Sequence, residues 1–233
     1  MYISNDFFER DYLYLNNQDG TFREVLDEAM PLLSLSSMGA DMADLTGDGR
    51  PELYVTDMLP EDDRRLKLTS AYEGYNLYQA KVANDYHHQV MRNTLQRSNG
   101  DGTFSEVGQI AGVSATDWSW GALFADLDSD GFKDLYVANG VYRDVTDQDY
   151  INFLADEETR ERVAAGVETG QGVDFLALTS EIPSTPIRNY AFRNEGLTAP
   201  GALRFPDATA TWGLDEPGYS TGAAYTDLDG DGA

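Results

Sequence analysis

Two stretches of this sequence align with each other without gaps, and this internal repeat limits the possible folds more than any other feature. Residues 36–58 read SSMGADMADLTGDGRPELYVTDM, and residues 117–139 read DWSWGALFADLDSDGFKDLYVAN. A third copy, YSTGAAYTDLDGDGA at 219–233, matches as far as it extends. In each copy a serine and a glycine precede the acidic segment at fixed distances, which predicts a fold of similar units. The serines are Ser37, Ser119 and Ser220, and the glycines are Gly39, Gly121 and Gly222.

A second motif recurs between these copies. DYLYLNNQDGTFREV at 11–25 matches NTLQRSNGDGTFSEV at 93–107, and a weaker copy, NYAFRNEG, starts at residue 189. An Asp-Gly pair between two runs of β-forming residues predicts a hairpin. Several units of four short strands in series predict a β-propeller, with a solenoid as the alternative. For the complete second unit, we expect strands at about 39–44, 52–57, 93–97 and 103–107.

The extra residues between the copies fall in two segments, at about 59–91 and 141–187, and both are predicted to be helical insertions. Tyrosines and a valine recur at helical spacing in the first segment. In the second, Thr146 and Asp149 resemble a capping box at the start of DQDYINFLADEE. The residues at helical spacing in the first insertion are Tyr72, Tyr75, Tyr78, Val82 and Tyr86.

The predicted fold class is all-β with helical insertions, as a partial β-propeller of four-stranded antiparallel blades. We expect one incomplete propeller domain over 1–233, because the chain begins inside one repeat and ends inside another. The predicted blades are a partial blade at 1–33, two blades with insertions at 34–116 and 117–218, and the start of a further blade at 219–233.

The acidic segment of each copy has the residue types of a calcium loop. In DLDSDGFKD (126–134), carboxylates occupy positions 1, 3, 5 and 9, and the glycine at position 6 permits a sharp turn. Many oxygen ligands in a flexible arrangement suit Ca²⁺ rather than Mg²⁺. An EF-hand is excluded because its position 12 needs a glutamate, whereas these loops have Val55 or Val137 there. The alternative to a metal site is a solvated acidic turn.

The candidate ligands come from all three loops. We expect the first loop to bind calcium more weakly than the second, because a threonine replaces one carboxylate and Arg50 adds positive charge. The candidates are Asp44, Thr46, Asp48, the Arg50 carbonyl and Glu52 in the first loop, Asp126, Asp128, Asp130, the Phe132 carbonyl and Asp134 in the second, and Asp227, Asp229 and Asp231 in the third.

The net charge of −25, from 41 acidic and 16 basic residues, limits the possible partners. Such a chain repels nucleic acid phosphates and anionic lipids, so neither is an expected partner. The three loops hold only ten of the acidic residues, so calcium explains part of the charge, and a salt-adapted surface is an alternative cause. The chain has no cysteines, which excludes disulfides and thiolate metal sites. It also has no apolar run long enough to span a membrane, and no signal peptide is visible at its start.

The pattern Ser-x-Gly before ADLDSDGFKDLYV, with NGDGTF between copies, resembles the FG-GAP/VCBS repeat family. The resemblance covers nearly the whole chain outside the insertions, and residues 91–140 are similar to bacterial relatives of cartilage acidic protein of the ASPIC/UnbV type. One departure is that Met38, Trp120 or Thr221 replaces the phenylalanine of the Phe-Gly pair. The family implies integrin α-like, seven-bladed propellers with Ca²⁺ as cofactor. It also implies an extracellular, cell-surface or periplasmic location, with a signal peptide on the full-length protein.

The resemblance implies adhesion or ligand binding without catalysis, and the sequence contains no GxSxG, P-loop or HExxH motif. We expect the partners to be an unknown protein or glycan and the rest of the chain's own propeller. Trp118 and Trp120 alternate in a predicted strand and face the same side; with Tyr72 and Tyr75 they are the candidates for a ligand-binding face, although packing is the default role. The alternatives are a polysaccharide-binding accessory or remote polysaccharide lyase, and a purely structural scaffold.

Overall fold

The computed structural model describes residues 1–7, 9–70, 73–168, 172–199 and 202–226. Most of its strands pair in antiparallel sheets, and helices occupy segments between them. The strands are β1 (Tyr2–Ile3), β2 (Tyr12–Asn16), β3 (Phe22–Glu24), β4 (Leu33–Ser34), β5 (Ala40–Ala43), β6 (Glu52–Val55), β7 (Gln89–Val90), β8 (Thr94–Ser98), β9 (Phe104–Glu106), β10 (Ser119–Ala125), β11 (Asp134–Asn139), β12 (Ile187–Arg188), β13 (Tyr190–Phe192), β14 (Leu197–Ala199), β15 (Ala202–Leu203) and β16 (Pro217–Gly218). The helices are α1 (Leu26–Ala29), α2 (Asp63–Thr69), α3 (Tyr75–Ala83), α4 (Gly108–Ala111), α5 (Gln148–Ala155), α6 (Glu157–Glu168) and α7 (Phe175–Ser180).

The second repeat forms a four-stranded antiparallel sheet in the order β5-β6-β8-β9. All four strands predicted for this unit are present, with bounds within two residues of the prediction. Sequential strands that pair with their neighbours are the arrangement of a propeller blade. The predicted all-β fold with helical insertions is therefore confirmed. How the chain divides into blades stays a prediction.

The sheets on either side follow the same order with fewer regular strands. The first is β1-β2-β3, and the third is β10-β11-β13. In the described part of the third sheet, an isolated bridge between Phe192 and Asp207 stands where the second repeat has a regular fourth strand. The residues between β13 and this bridge form the separate hairpin β14-β15 instead. The additional residues of this repeat thus replace regular pairing with a hairpin of their own.

The structure corrects two details of the predicted insertions. The predicted pattern lies only partly on one helix, because α3 contains Tyr75, Tyr78 and Val82 but ends before Tyr86. Tyr72 is outside the described residues. In the second insertion the N-cap of α5 is Asp147, whose carboxylate accepts from the Tyr150 amide at 2.9 Å. Thr146 and Asp147 are both good capping residues, and the local sequence could not choose between them.

The apolar core consists of two layers, one on each side of the second sheet. Side chains alternate along β6, so Leu53 and Val55 face the first sheet, whereas Tyr54 faces the third. The first layer joins Leu53 and Val55 to residues that include Leu13 and Met30. The second joins Tyr54 to Leu95, Leu135, Val137, Phe192 and Phe205. The three sheets therefore stack face to face like successive blades.

The repeated serines hold neighbouring sheets together. Ser37 precedes β5 and Ser119 begins β10, and each of the three serines reaches the residue before β2, β8 or β13, directly or through one hydroxyl. The contacts are Ser37 Oγ to Asp11 Oδ2 at 2.7 Å, Asn189 Nδ2 to Ser220 Oγ at 3.0 Å, and Ser119 Oγ to Thr116 Oγ1 at 2.7 Å, where Thr116 also accepts from Asn93 at 2.6 Å. For Ser37 and Ser119 this bond joins neighbouring sheets, and Ser220 makes an equivalent contact with Asn189.

Asp11 is expected to make the stability of the metal-free chain depend on pH. Burial raises the pKa of its carboxyl, while hydrogen bonds from Tyr2, Asn5 and Ser37 oppose that rise and the charge of Asp57 adds to it. The folded chain then holds this proton more tightly than the unfolded chain does. The free energy of unfolding should therefore be greatest below about pH 4 for this group, and should fall as the pH rises through the folded pKa.

Asp11→Asn should reduce this pH dependence without breaking the contact with Ser37. Asn93 and Asn189 occupy the equivalent positions in the other repeats and make the same type of bond. The measurement is the melting temperature of both proteins in chelator, from mildly acidic to neutral pH. Identical slopes for the two proteins would show that Asp11 titrates normally.

Candidate metal centre

The loop between β10 and β11 gathers three carboxylates at one point. One oxygen from each of Asp126, Asp128 and Asp130 lies within 4.8 Å of the other two. The Asp126 carboxylate accepts hydrogen bonds from the amides of Asp130 at 3.1 Å and Gly131 at 3.0 Å, so the loop curls around its first residue. Gly131 has a φ of 95°, which a glycine adopts without strain.

The loop between β5 and β6 is folded in the same way. The Asp44 carboxylate accepts from the amides of Gly49 at 2.8 Å, Gly47 at 2.8 Å and Asp48 at 3.2 Å. The bond from Gly49, followed by the other amides, lowers the pKa of Asp44 and keeps the carboxylate ionised. Thr46 replaces the central aspartate here, so this loop has one carboxylate fewer to gather than the loop that contains Asp126.

Position nine of both described loops carries a carboxylate with no exposure to solvent. Glu52 Oε2 accepts from the Leu45 amide at 2.9 Å, and Asp134 Oδ2 accepts from the Leu127 amide at 2.8 Å. Burial raises the pKa of both groups. Asp134 Oδ1 also accepts from the amide of Asn194 at 2.9 Å, which connects the loop to the residues after β13.

In the first loop, by contrast, two buried oxygens lack a partner. Among the described residues, nothing hydrogen-bonds to Glu52 Oε1 or to Thr46 Oγ1. The Ser98 amide lies close enough to lower the pKa of Glu52, but it forms no hydrogen bond of normal geometry with Oε1. A buried oxygen without a donor is costly, and a cation would satisfy both atoms.

The donor sets of both described loops fit a hard cation such as Ca²⁺, since they offer carboxylate, hydroxyl and backbone oxygens only. A carboxylate oxygen has two lone pairs, so Asp134 can accept a hydrogen bond and still serve as a ligand. The backbone oxygens of Arg50 and Phe132 remain predicted ligands. Asp227, Asp229 and Asp231 of the third loop lie outside the described residues.

The structure adds Arg193 to the surroundings of the second loop, and the sequence analysis missed it. Its guanidinium lies 2.7 Å from Asp128 Oδ2 and 3.0 Å from Asp130 Oδ2. Alignment of NYAFR with NTLQR places Arg193 in register with Arg97, and this repeated arginine was the available signal. The first loop has a looser contact, with Arg50 at 3.5 Å from Asp48.

The aromatic candidates lie at the other end of the same strand. β10 begins directly after Trp118 and ends directly before Asp126, so the tryptophans and the acidic loop are at opposite ends of the sheet. The rings of Trp118 and Trp120 are 6.0 Å apart, and Trp120 Nε1 donates to the Gly140 carbonyl at 2.6 Å.

Trp118 lines a cavity of about 210 Å³ between the sheets and the insertions. Met58, Met91 and Ile151 are among its apolar neighbours there. The indole N–H of Trp118 is buried and has no acceptor in the described part of the chain. Tyr75 does not belong to this group, because it is 74% exposed on α3 and does not line the cavity.

The comparison with known families agrees with the repeated loops. A family model for the FG-GAP-like repeat matches residues 1–55 and 82–137. The matched residues contain both described loops and all the strands of the first two sheets. Repeats of this type often bind Ca²⁺ and are typical of extracellular or surface proteins. No curated protein matches the chain. None of the helices within the described ranges is long and apolar enough to cross a bilayer.

Proposed function

We propose that the chain is a calcium-stabilised propeller module that binds a protein or glycan ligand outside the cell or on its surface. The observation that carries the calcium part is the convergence of Asp126, Asp128 and Asp130 in a loop whose equivalent contains the unpartnered oxygens of Thr46 and Glu52. Bound calcium would supply the positive charge that these buried and clustered oxygens lack. We also propose that the chain is related to proteins of the ASPIC/UnbV type, because residues 91–140 resemble them.

The loop residues connect strands within each sheet. The segment 44–52 joins β5 to β6, and 126–134 joins β10 to β11. Asp134 also accepts from Asn194, so that the second loop is tied to the residues after β13. Calcium that neutralises the loop carboxylates would therefore stabilise the end of the sheet at which β10, β11 and the residues after β13 meet. The opposite end of the sheet stays free for a ligand.

The cavity beside Trp118 supports a binding role for that opposite end. It lies where the insertions meet the sheets, and an indole N–H without an acceptor suits a ligand with a hydroxyl or carbonyl oxygen. This feature favours a polysaccharide-binding accessory as the second candidate function over a scaffold without a ligand. A glycan array probed with the protein and with Trp118→Ala tests it, and equal signals for the two proteins would argue against a sugar at this cavity.

Calcium is expected to raise the melting temperature, and Asp126→Ala with Asp130→Ala should remove the part of the gain due to the second loop. At a calcium concentration of a hundred times the dissociation constant, each site contributes about 2.7 kcal/mol. The control is Asp19→Ala with Asp101→Ala, which changes the net charge equally but alters only the exposed hairpins, where these aspartates accept from Thr21 and Thr103. A melting curve that chelator does not change would overturn the calcium proposal.

A further inference from the structure

Arg193 spans two of the three carboxylates that converge in the 126–134 loop. Nε lies 2.7 Å from Asp128 Oδ2, and Nη2 lies 3.0 Å from Asp130 Oδ2. Arg193 directly follows β13, which pairs with β11, the strand that leaves the loop. The ion pairs thus join a side chain about 60 positions away to the candidate metal site of the same sheet.

The two oxygens that Arg193 contacts are the ones that the loop backbone leaves open. Asp128 Oδ1 accepts from the Asp130 amide at 3.2 Å, and Asp130 Oδ1 accepts from the Phe132 amide at 2.9 Å. In both residues the other oxygen, Oδ2, carries the guanidinium contact. A divalent cation bound by these two oxygens would lie close to the guanidinium, and the two positive charges would repel each other.

The ion pair described for the 44–52 loop is looser than those of Arg193. Asp48 Oδ2 meets the Arg50 guanidinium only at 3.5 Å, and both side chains are largely exposed. Thr46 Oγ1 and Glu52 Oε1 are buried without a hydrogen-bond donor. This loop therefore has two buried oxygens that a cation would satisfy, whereas in the 126–134 loop Arg193 already offsets part of the negative charge.

We propose that Arg193 is a resident counter-ion of the 126–134 loop, which calcium has to displace, so that the 44–52 loop binds calcium more tightly. This inference rests on the proposed function, since it assumes that the loops bind calcium. It reverses the order expected from the loop sequences alone, where the threonine and Arg50 made the first loop the weaker one. The 126–134 loop has more carboxylates, but Arg193 contacts two of them, and this contact lowers the calcium affinity of the loop.

Calorimetric titration with calcium chloride tests the order of the two sites. Every protein carries Asp227→Asn, which removes the first carboxylate of the third loop. Adding Asp126→Asn leaves the 44–52 loop as the intact site, and adding Asp44→Asn leaves the 126–134 loop. We expect the first of these proteins to bind calcium more tightly. Arg193→Gln in the Asp44→Asn protein should then raise the affinity about fivefold, the size expected for two exposed ion pairs.

Thermal unfolding of the single variant gives a second readout that needs no disabled loop. In chelator, Arg193→Gln should lower the melting temperature because Asp128 and Asp130 lose their counter-ion beside Asp126, and saturating calcium should remove that difference. Arg204→Gln is the control: it makes the same charge change at an exposed arginine for which the described residues provide no ion pair. It should leave the calcium affinity unchanged.

The possible outcomes separate this inference from the proposed function. An affinity that Arg193→Gln leaves unchanged or lowers, while calcium still binds, overturns the role of Arg193 and leaves the calcium module intact. Tighter binding at the 126–134 loop than at the 44–52 loop overturns the proposed order. Absence of calcium binding in every protein overturns both. If the Asp44→Asn protein does not fold, the melting temperatures of Arg193→Gln with and without calcium decide the question.

Discussion

Replacing Gly39 with alanine is expected to lower the free energy of unfolding by about 2–3 kcal/mol. A methyl group at this position would lie 2.5 Å from the Trp120 carbonyl oxygen and 3.2 Å from the Gly121 Cα, both on the inner strand of the next sheet. The Gly39 carbonyl is itself fixed by the Thr56 amide at 2.8 Å. The methyl group would be fixed to one backbone and would meet atoms of another. The clash can therefore be relieved only by moving β5 and β10 apart.

The same repeat position offers a matched control. Gly222 is equivalent to Gly39, but no atom of the described residues lies within 4 Å of the position that its Cβ would take. Gly222→Ala should therefore change the free energy of unfolding by less than about 1 kcal/mol. Denaturant unfolding in the presence of calcium measures both variants. Similar losses for the two would mean that the glycines serve backbone conformation and not the close approach of neighbouring sheets.

These glycines show what the sequence could predict and what it could not. The strands of the second repeat follow from alternation and turn residues over a few positions, and the structure contains them. The repeat also revealed Gly39 and Ser37 as special positions. Their reason lies in contacts with Trp120 and Asp11, which belong to neighbouring sheets, and no local pattern contains such a distance.

The candidate metal site could also be predicted only in part. Its carboxylates lie close together in the sequence, but one of its neighbours comes from a distant segment. The spacing within nine residues determines that Asp126, Asp128 and Asp130 can converge, because one loop carries them all. Arg193 reaches the loop only through the pairing of β13 with β11, about 60 positions later in the chain. The sequence of each loop shows only the charges within it, but the balance of charge at the site depends on the folded sheet.

Glu52→Gln is expected to have opposite effects on stability with and without calcium. In chelator, Glu52 is a fully buried carboxylate whose pKa is raised by burial and by the charges of Asp48 and Asp44. Glutamine has the same size, and its carbonyl oxygen can still accept from the Leu45 amide. Removing a buried charge that lacks a full set of partners should leave the metal-free chain equally stable, or more stable by about 1 kcal/mol.

With calcium, the same substitution removes a charged ligand from the 44–52 loop. The variant should then lose most of the stabilisation from that site, about 2–3 kcal/mol at saturating calcium. The measurement is the free energy of unfolding of both proteins in chelator and in calcium. The wild-type chain should have the larger free energy of unfolding in calcium but not in chelator.

Glu106→Gln provides the control for this comparison. The Glu106 carboxylate accepts from the amides of Gly108 at 2.7 Å and Leu95 at 3.2 Å and pairs with Arg92 at 2.7 Å, away from both loops. Its substitution should cost the same free energy with and without calcium. If Glu52→Gln also destabilised the chain equally in both conditions, Glu52 would be a structural acceptor for Leu45, and its loop would be an acidic turn held by backbone hydrogen bonds.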